Sequence, residues 1–219
     1  MSNPQLLVAP EVAQTGIKVR MAICEVPEVK NRRNGSLEKH ITEVIARLKI
    51  GEFLASPVLK EYKRFYDELG IADALSPAEH LLRIIERTGG IPNINNAVDC
   101  YNIVSAETLL SIGAHNLDAI KGNVQFKRTT GDEKYIPLGK SEPEKVLPGE
   151  YACMDDEKII CRMDIKQCEE TKIAKGVTKF IVYAQGNKET TEEYVASGLK
   201  NVCENIANFC GGKCEIVEN

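Results

Sequence analysis

The spacing of apolar residues changes once along this chain, and that change constrains the fold more than any other feature. From Ser36 to Gly90 the hydrophobic residues recur at helical intervals between clear start and stop signals. From Lys121 to Ala184 they form short runs punctuated by Gly131-Asp132, Pro137 and Pro148-Gly149. A chain segregated in this way is expected to be α+β, with helices flanking a sheet or sandwich built mainly from its second half.

The individual elements follow from the same signals. Residues 17–26 alternate loosely and stop at Pro27, which predicts a half-buried strand. After the Asn34-Gly35 turn, Ser36 is expected to cap a helix that carries Leu37, Ile41, Val44, Ile45 and Leu48 to near Gly51. Ser56-Pro57 opens a second helix to Gly70, and Ser76-Pro77-Ala78-Glu79 opens a third that stops at Gly89-Gly90. Pro92 to Asn102 is polar and Asn-rich, and a short helix is expected over Tyr101–Ile112. Strands are predicted at 123–129, 150–154, 158–163 and 178–184, with Asp155-Asp156-Glu157 as a tight turn. Thr190-x-x-Glu193 reads as a capping box for a last helix with a Val195, Leu199, Val202, Ile206 and Phe209 stripe. Ile216 and Val217 suit a final short strand.

Composition excludes several classes of function. No apolar run approaches the roughly 18 residues of a membrane span. Met1-Ser2-Asn3-Pro4 lacks a basic stretch followed by an apolar core, so a cytoplasmic protein is expected. The net charge of −4 argues against gripping nucleic acid through bulk positive charge, and no DNA partner is expected, although a few placed cations suffice for phosphate contacts. Tryptophan is absent and aromatics are 5%, which disfavours a base-stacking platform. There is no G-x-G-x-x-G, P-loop, H-E-x-x-H or G-x-S-x-G, so no cofactor is expected. The 8 cysteines contain no C-x-x-C and only 3 histidines could join them in a metal set, so no metal site is expected. They read as reduced, buried thiols, with Cys203, Cys210 and Cys214 as the cluster that could instead pair or bind metal.

Chemistry concentrates between Pro92 and Asp118. Asn95, Asp99, Asn102, Ser105, His115 and Asp118 lie close together in a chain otherwise poor in histidine. On a helix Asn102 and Ser105 share a face, and Asp118 is near enough to orient the His115 imidazole. Asp99 and Asn102 equally suit a helix cap, and His115 a buried structural role. His40 and His80 sit among charged neighbours and read as surface residues, and the Lys30, Arg32, Arg33 group as a solvated loop.

The run Asn95-x-x-x-Asp99-x-x-Asn102, then Gly113-x-His115-x-x-Asp118, resembles the B3/B4 domain of the bacterial phenylalanyl-tRNA synthetase β subunit. Arg128-Thr-Thr-Gly-Asp-Glu133, Leu138-Gly139, Pro148-Gly149-Glu150, Thr171-Lys172 and Thr178 follow in the family's order. The likeness is greater to free-standing B3/B4 proteins and covers roughly residues 5 to 212. It implies one domain over 1–219, mainly helical over 1–91 and sheet-rich over 92–219, folded as a β-sandwich of unusual topology with flanking helices.

The resemblance also implies a function: hydrolytic editing of a mischarged aminoacyl-tRNA, here in trans, at the tRNA 3′ end. His115 falls on a histidine that lines the family's pocket, and Asn95, Asp99 and Asn102 fall in its other wall. The family's glutamate, six residues after Thr178, is Ala184 here. That leaves the amino acid open among near-isosteres such as Tyr/Phe or Ser/Thr. In the expected mechanism, Asp99, Asn102 and His115 surround the attacking water, with His115 orienting or deprotonating it. Asn95, Ser105, Gly113 and Asp118 contact the substrate, and Arg128, Arg162 and Lys172 meet the phosphates. A non-catalytic RNA-binding module, or a small-ligand protein that reuses the pocket, are the alternatives.

Overall fold

The computed structural model describes residues 3–218; Met1 and Ser2, part of the N-terminus read above for an export signal, lie outside it. Two sheets face each other. The first runs β1 (Leu6–Val8), β4 (Val124–Arg128), β5 (Tyr151–Met154), β6 (Ile159–Arg162) and β7 (Lys166–Gln167), antiparallel except for the β1–β4 pair. The second is antiparallel and runs β3 (Ser111–Asn116), β8 (Lys179–Gly186), β2 (Lys18–Glu25) and β9 (Lys213–Ile216). Phe126 of β4 meets Tyr183 of β8 edge-on at 5.1 Å, and Tyr151 of β5 donates its hydroxyl to Gln185 Oε1 at 2.5 Å. These contacts join the two inner faces into one core.

Strand alternation assigns the remaining faces. On β5, Tyr151 and Cys153 join the inter-sheet core, while Ala152 and Met154 pack outward under Tyr135 and Val146 of the 129–150 loop. On the second sheet, Ala184, Val182 and Phe180 face away from the first sheet and lie under α6 (Asn96–Thr108) and α7 (Glu192–Asn205). β2 comes from the mainly helical first part yet sits between β8 and β9. The two parts of the chain therefore share one core.

The helices start where their caps allow. Ser56 accepts from Leu59 N before α4 (Pro57–Glu68), and Ser76 accepts from Glu79 N before α5 (Pro77–Thr88), each with proline in the first turn. Gly89 ends α5 with φ +75°, a conformation that glycine alone adopts without cost. α2 (Gly35–Arg47) buries Leu37, Ile41 and Val44. Its cap is Asn34, which accepts from Leu37 N at 2.9 Å, rather than Ser36. The last helix is likewise capped by Thr191, not Thr190, whose hydroxyl instead closes the preceding turn on Asn187. A short α1 (Pro10–Ala13), a five-residue α3 (Ile50–Leu54) and the three-residue β1 were not read from the sequence.

The main correction lies in the middle of the chain. The expected helix at Tyr101–Ile112 begins earlier, at Asn96, and ends at Thr108. Ser111 to Asn116 is a strand, so His115 does not sit in a turn after a helix.

The cysteines also depart from expectation. Cys24 and Cys214 stand directly opposite each other on β2 and β9 and form a disulfide, with the Cys203 sulfur on α7 beside them. Cys210 lies 3.8 Å from Cys100. The tail cluster is therefore divided between two partners.

Candidate functional site

β3 sets the position of His115. Residues directly opposite in an antiparallel pair share a face, so Ser111, Gly113 and His115 point with Gln185, Tyr183 and Ile181 into the space between the sheets. The His115 ring is fully buried and stacks on Tyr183, with centroids 5.9 Å apart. Its Nδ1 is 2.9 Å from Thr171 Oγ1, and its Nε2 is buried with no partner. Burial pushes its pKa down to about 3, so the ring is neutral near pH 7. Gly113 makes this packing possible, because a Cβ there would lie 2.5 Å from Tyr183 Oη.

The expected pairing of His115 with Asp118 does not form. Asp118 is exposed on the single turn after β3, and Thr171 is the imidazole's partner. Asn116 N also donates to Thr171 O, which holds residues 171–173 against the strand.

The start of α6 abuts the same segment. Asn95 caps the helix by accepting from Val98 N at 2.8 Å, and its Nδ2 donates to Ile173 O at 3.0 Å. Asn95 and His115 thus converge on one short segment, Asn95 through the Ile173 carbonyl and His115 through the Thr171 hydroxyl, with these hydrogen bonds committed to holding it. Ser105 donates to Leu110 O at 2.7 Å and closes the far end of the helix.

Asp99 is buried in the first turn. It accepts from Ile94 N at 3.1 Å and has the Arg33 guanidinium 3.6 Å away. Burial pushes its carboxyl up to about 6 against the opposing pull of those two groups. Arg33 is therefore part of this half-buried cluster, where it also pairs with Glu38, rather than a solvated loop residue.

Of the expected site residues on α6, Asn102 is the one that meets open space. With Tyr101 and Ile94 it lines a cleft of about 500 Å³ between α5, α6, the free edge of β3 and the β6–β7 turn. Leu81, Ile84, Ile112 and Ile165 make most of it apolar; Asn102, Gln167, Asp164 and the exposed His80 at its rim supply the polar groups. An apolar cleft with a few convergent polar groups is the usual form of a small-molecule site.

Asp164 carries no signal in the sequence, where it only follows the strand expected over 158–163. It is buried, with Oδ1 accepting from Ser111 Oγ at 2.8 Å and Oδ2 from Tyr66 Oη at 2.9 Å. Burial raises its carboxyl to about 7, against those two hydrogen bonds.

The three cations expected at phosphates fare differently. Arg162 is buried and commits three nitrogens to carboxylates, two on Glu150 at 2.6 and 2.7 Å and one on Glu144 at 2.6 Å. That ion-pair network explains its position and leaves it no solvent face for a phosphate. Arg128 is half-buried and donates to Gly149 O at 3.3 Å. Lys172 is exposed and paired with Glu169. Lys166, between the cleft residues Ile165 and Gln167, is exposed and has no ion-pair partner among the described residues.

Comparison with known proteins agrees with this architecture. The family model of the B3/4 domain matches residues 64–211. The chain belongs to the B3/4 domain family. The phenylalanine–tRNA ligase β subunit of Mycoplasma genitalium is 29% identical over 112 residues, which cover 51% of this chain and 14% of that subunit. An N-terminal fragment of the phenylalanyl-tRNA synthetase β subunit from Pyrococcus horikoshii superposes with a TM-score of 0.55 at 14% identity, covering 97% of this chain and 50% of the fragment. The B3/4 protein described here thus shares the fold of that fragment and spans half of its length. It is an α+β, synthetase-related module, and no helix among its described residues is long and apolar enough to cross a membrane.

The strand register sets which residues of β8 share a face with His115. Ala184 pairs with Ile112 and faces the helices, whereas His115 shares its face with Ile181, Tyr183 and Gln185. Among these, Tyr183 occupies the space beside the imidazole.

Proposed function

We propose that this B3/4 protein hydrolyses the ester of a mischarged aminoacyl-tRNA, with the aminoacyl group seated in the cleft between α5, α6 and the β6–β7 turn. The observation that carries the reading is that cleft itself: apolar walls of side-chain size, with Asn102 and Gln167 within. The walls suit an amino-acid side chain, and the amides suit its polar backbone atoms.

The chemistry asks little of the protein. Water adds to the ester carbonyl, the ribose oxygen leaves and takes a proton, and the amino acid departs as its carboxylic acid. The neighbouring ribose hydroxyl can assist that transfer, so holding the ester in place is the main task of the site. Asn102 would donate its amide to the oxyanion that develops on the carbonyl, a contribution of about 10²–10³-fold for a well-placed donor. His115 would position residues 171–173 from behind, since its ring is sealed between the sheets.

One observation favours a second reading. The sealed His115 and the Tyr183 ring beside it also suit a module that retains RNA binding without hydrolysis. Incubating the purified chain with a panel of mischarged tRNAs, and following release of the amino acid, separates the two. Selective release that Asn102→Ala reduces at least tenfold supports the hydrolase. Salt-sensitive tRNA binding with no release from any member supports the binding module.

A further inference from the structure

We propose that Cys100 and Cys210 are a peroxide-sensitive dithiol that closes to a second disulfide, between α6 and the C-terminal segment of the chain. Nothing in this pairing depends on the substrate of the cleft.

The two sulfurs lie 3.8 Å apart, although their residues are 110 positions apart in the chain. Cys100 is fully buried on α6, while Cys210 is half-buried at the end of the turn Ile206–Cys210 that continues α7. A disulfide holds its sulfurs at about 2.05 Å, so each must move by roughly 1 Å, a shift of side-chain scale.

The short separation is held from both sides. Asn205 Nδ2 donates to Cys100 O at 3.2 Å, and Cys100 Sγ lies 3.6 Å from Asn205 O. On the other side of the turn, Asn34 Nδ2 donates to Phe209 O at 3.0 Å, and the Phe209 ring lies 4.9 Å from that of His40. The chain then bends at Gly211, with φ +70°, and Gly212 passes so close to β2 that a Cβ there would collide with the Glu25 carbonyl. The two thiols are thus presented to each other in place, which is what makes an intramolecular step fast.

The thiols also differ in the way the chemistry needs. The hydrogen bond with Cys100 holds the Cys210 thiol below its ordinary range, and the same contact, together with burial, pushes Cys100 up. Burial pushes Cys203, the other half-buried thiol, up to about 11. The thiolate is the nucleophile, so Cys210 attacks first. Its sulfur takes one oxygen of hydrogen peroxide as the O–O bond breaks. The other oxygen leaves as hydroxide and becomes water with the proton that Cys210 gave up. Cys100 then attacks the sulfenic sulfur, the S–S bond forms, and the S–O bond breaks with loss of a second water that carries the Cys100 proton. The peroxide is reduced, and the pair of thiols is oxidised to one disulfide. The new bond fastens α6, just before Asn102, to the segment that Cys214 already joins to β2.

The test exposes the full, non-reduced chain to hydrogen peroxide, stops the reaction with catalase, blocks the remaining thiols and maps the protease-cut chain without reductant. The six free thiols are expected to fall to four, with a Cys100–Cys210 cross-linked peptide pair two hydrogens lighter than its parts. Cys203 and Cys210 share a tryptic peptide, so fragmentation identifies the partner, and a Cys203→Ser chain is expected to cross-link as the native one does. In Cys100→Ser the Cys210 sulfenic acid has no partner, and its adduct with a cyclic dione is expected to rise well above the native level. Cys210→Ser is expected to give neither a link nor an adduct on Cys100. No link in the native chain, or a link through Cys203, overturns the proposal. An adduct on Cys100 in the Cys210→Ser chain, matching that on Cys210 in Cys100→Ser, overturns the order of attack. The native map needs no variant, so it decides the pairing even where a substitution impairs folding.

Discussion

Replacing His115 with phenylalanine tests whether the imidazole is as sealed as its surroundings indicate. The native ring is fully buried, with Nε2 unpartnered and its pKa pushed by burial from 6.5 down to about 3. The unfolded chain therefore takes up a proton at this residue below pH 6.5, and the folded chain does not until near pH 3. The unfolded state binds more protons in that window, so stability must fall as pH falls. The slope approaches about 1.4 kcal/mol per pH unit, and the whole window is worth about 5 kcal/mol. Between pH 6.5 and 4.5 the loss from this one residue is roughly 2–3 kcal/mol. Asp99 and Asp164, whose carboxyls are raised by burial, tilt the curve the other way, because their unfolded forms release protons first as pH rises. They are present in both proteins and cancel in the difference. Phenylalanine keeps the stack on Tyr183, forfeits the Thr171 contact and has no proton to bind. Urea unfolding of both proteins at several values from pH 7.5 to 4.5 gives the two curves. The variant is expected to lack the acid-side decline that is due to His115. Parallel curves would mean that the native ring takes up its proton while folded, hence meets water, and the direct base role would stand again.

Two further substitutions probe the packing around it. Gly113→Ala drives a methyl to 2.5 Å from Tyr183 Oη and is expected to cost about 1–3 kcal/mol in urea unfolding, the usual range for an overpacked core; a change below a few tenths would mean that the ring moves freely. Cys214→Ser opens a link between residues 190 apart and is expected to lower stability by about 2–4 kcal/mol without reductant and by much less with it; equal stability in the two conditions would mean that the native thiols are not joined.

Local chemistry made some elements legible and hid others. The caps at Ser56 and Ser76, each followed by proline, and the isolated apolar runs of β4, β5 and β8 carry their own boundary signals. α6 does not, because it is buried nearly all round: Asn96, Asp99 and Ser105 are inside along with Cys100, Ile103 and Val104. Without a polar stripe its period is invisible, and its start was placed too late. β3 was hidden for a related reason. Ser-Ile-Gly-Ala-His-Asn has little β-branched character, and the small and polar residues on its inner face are there to admit Tyr183 and to reach Thr171 and Asp164. Asp164 had no local signal at all, since its partners come from α4 and β3, far away in sequence.

The packing of Tyr183 decides which side of β3 can do chemistry. For His115 to reach an ester, the space between the sheets must open, and Tyr183 must leave a site in which it is 1% exposed, edge-on to Phe126 and beside the Cys161 thiol. Returning such a side chain to water costs about 2–3 kcal/mol in transfer alone, before any separation of the sheets. The open form would then be at most a few per cent of the population, and any catalysis through it would be reduced by that fraction. The cleft on the edge of the same strand needs no opening, because Asn102 and Asp164 already line it. With Tyr183 packed against His115, the polar side chain that meets open space near β3 is Asn102 at its edge, and a substrate is expected to bind there.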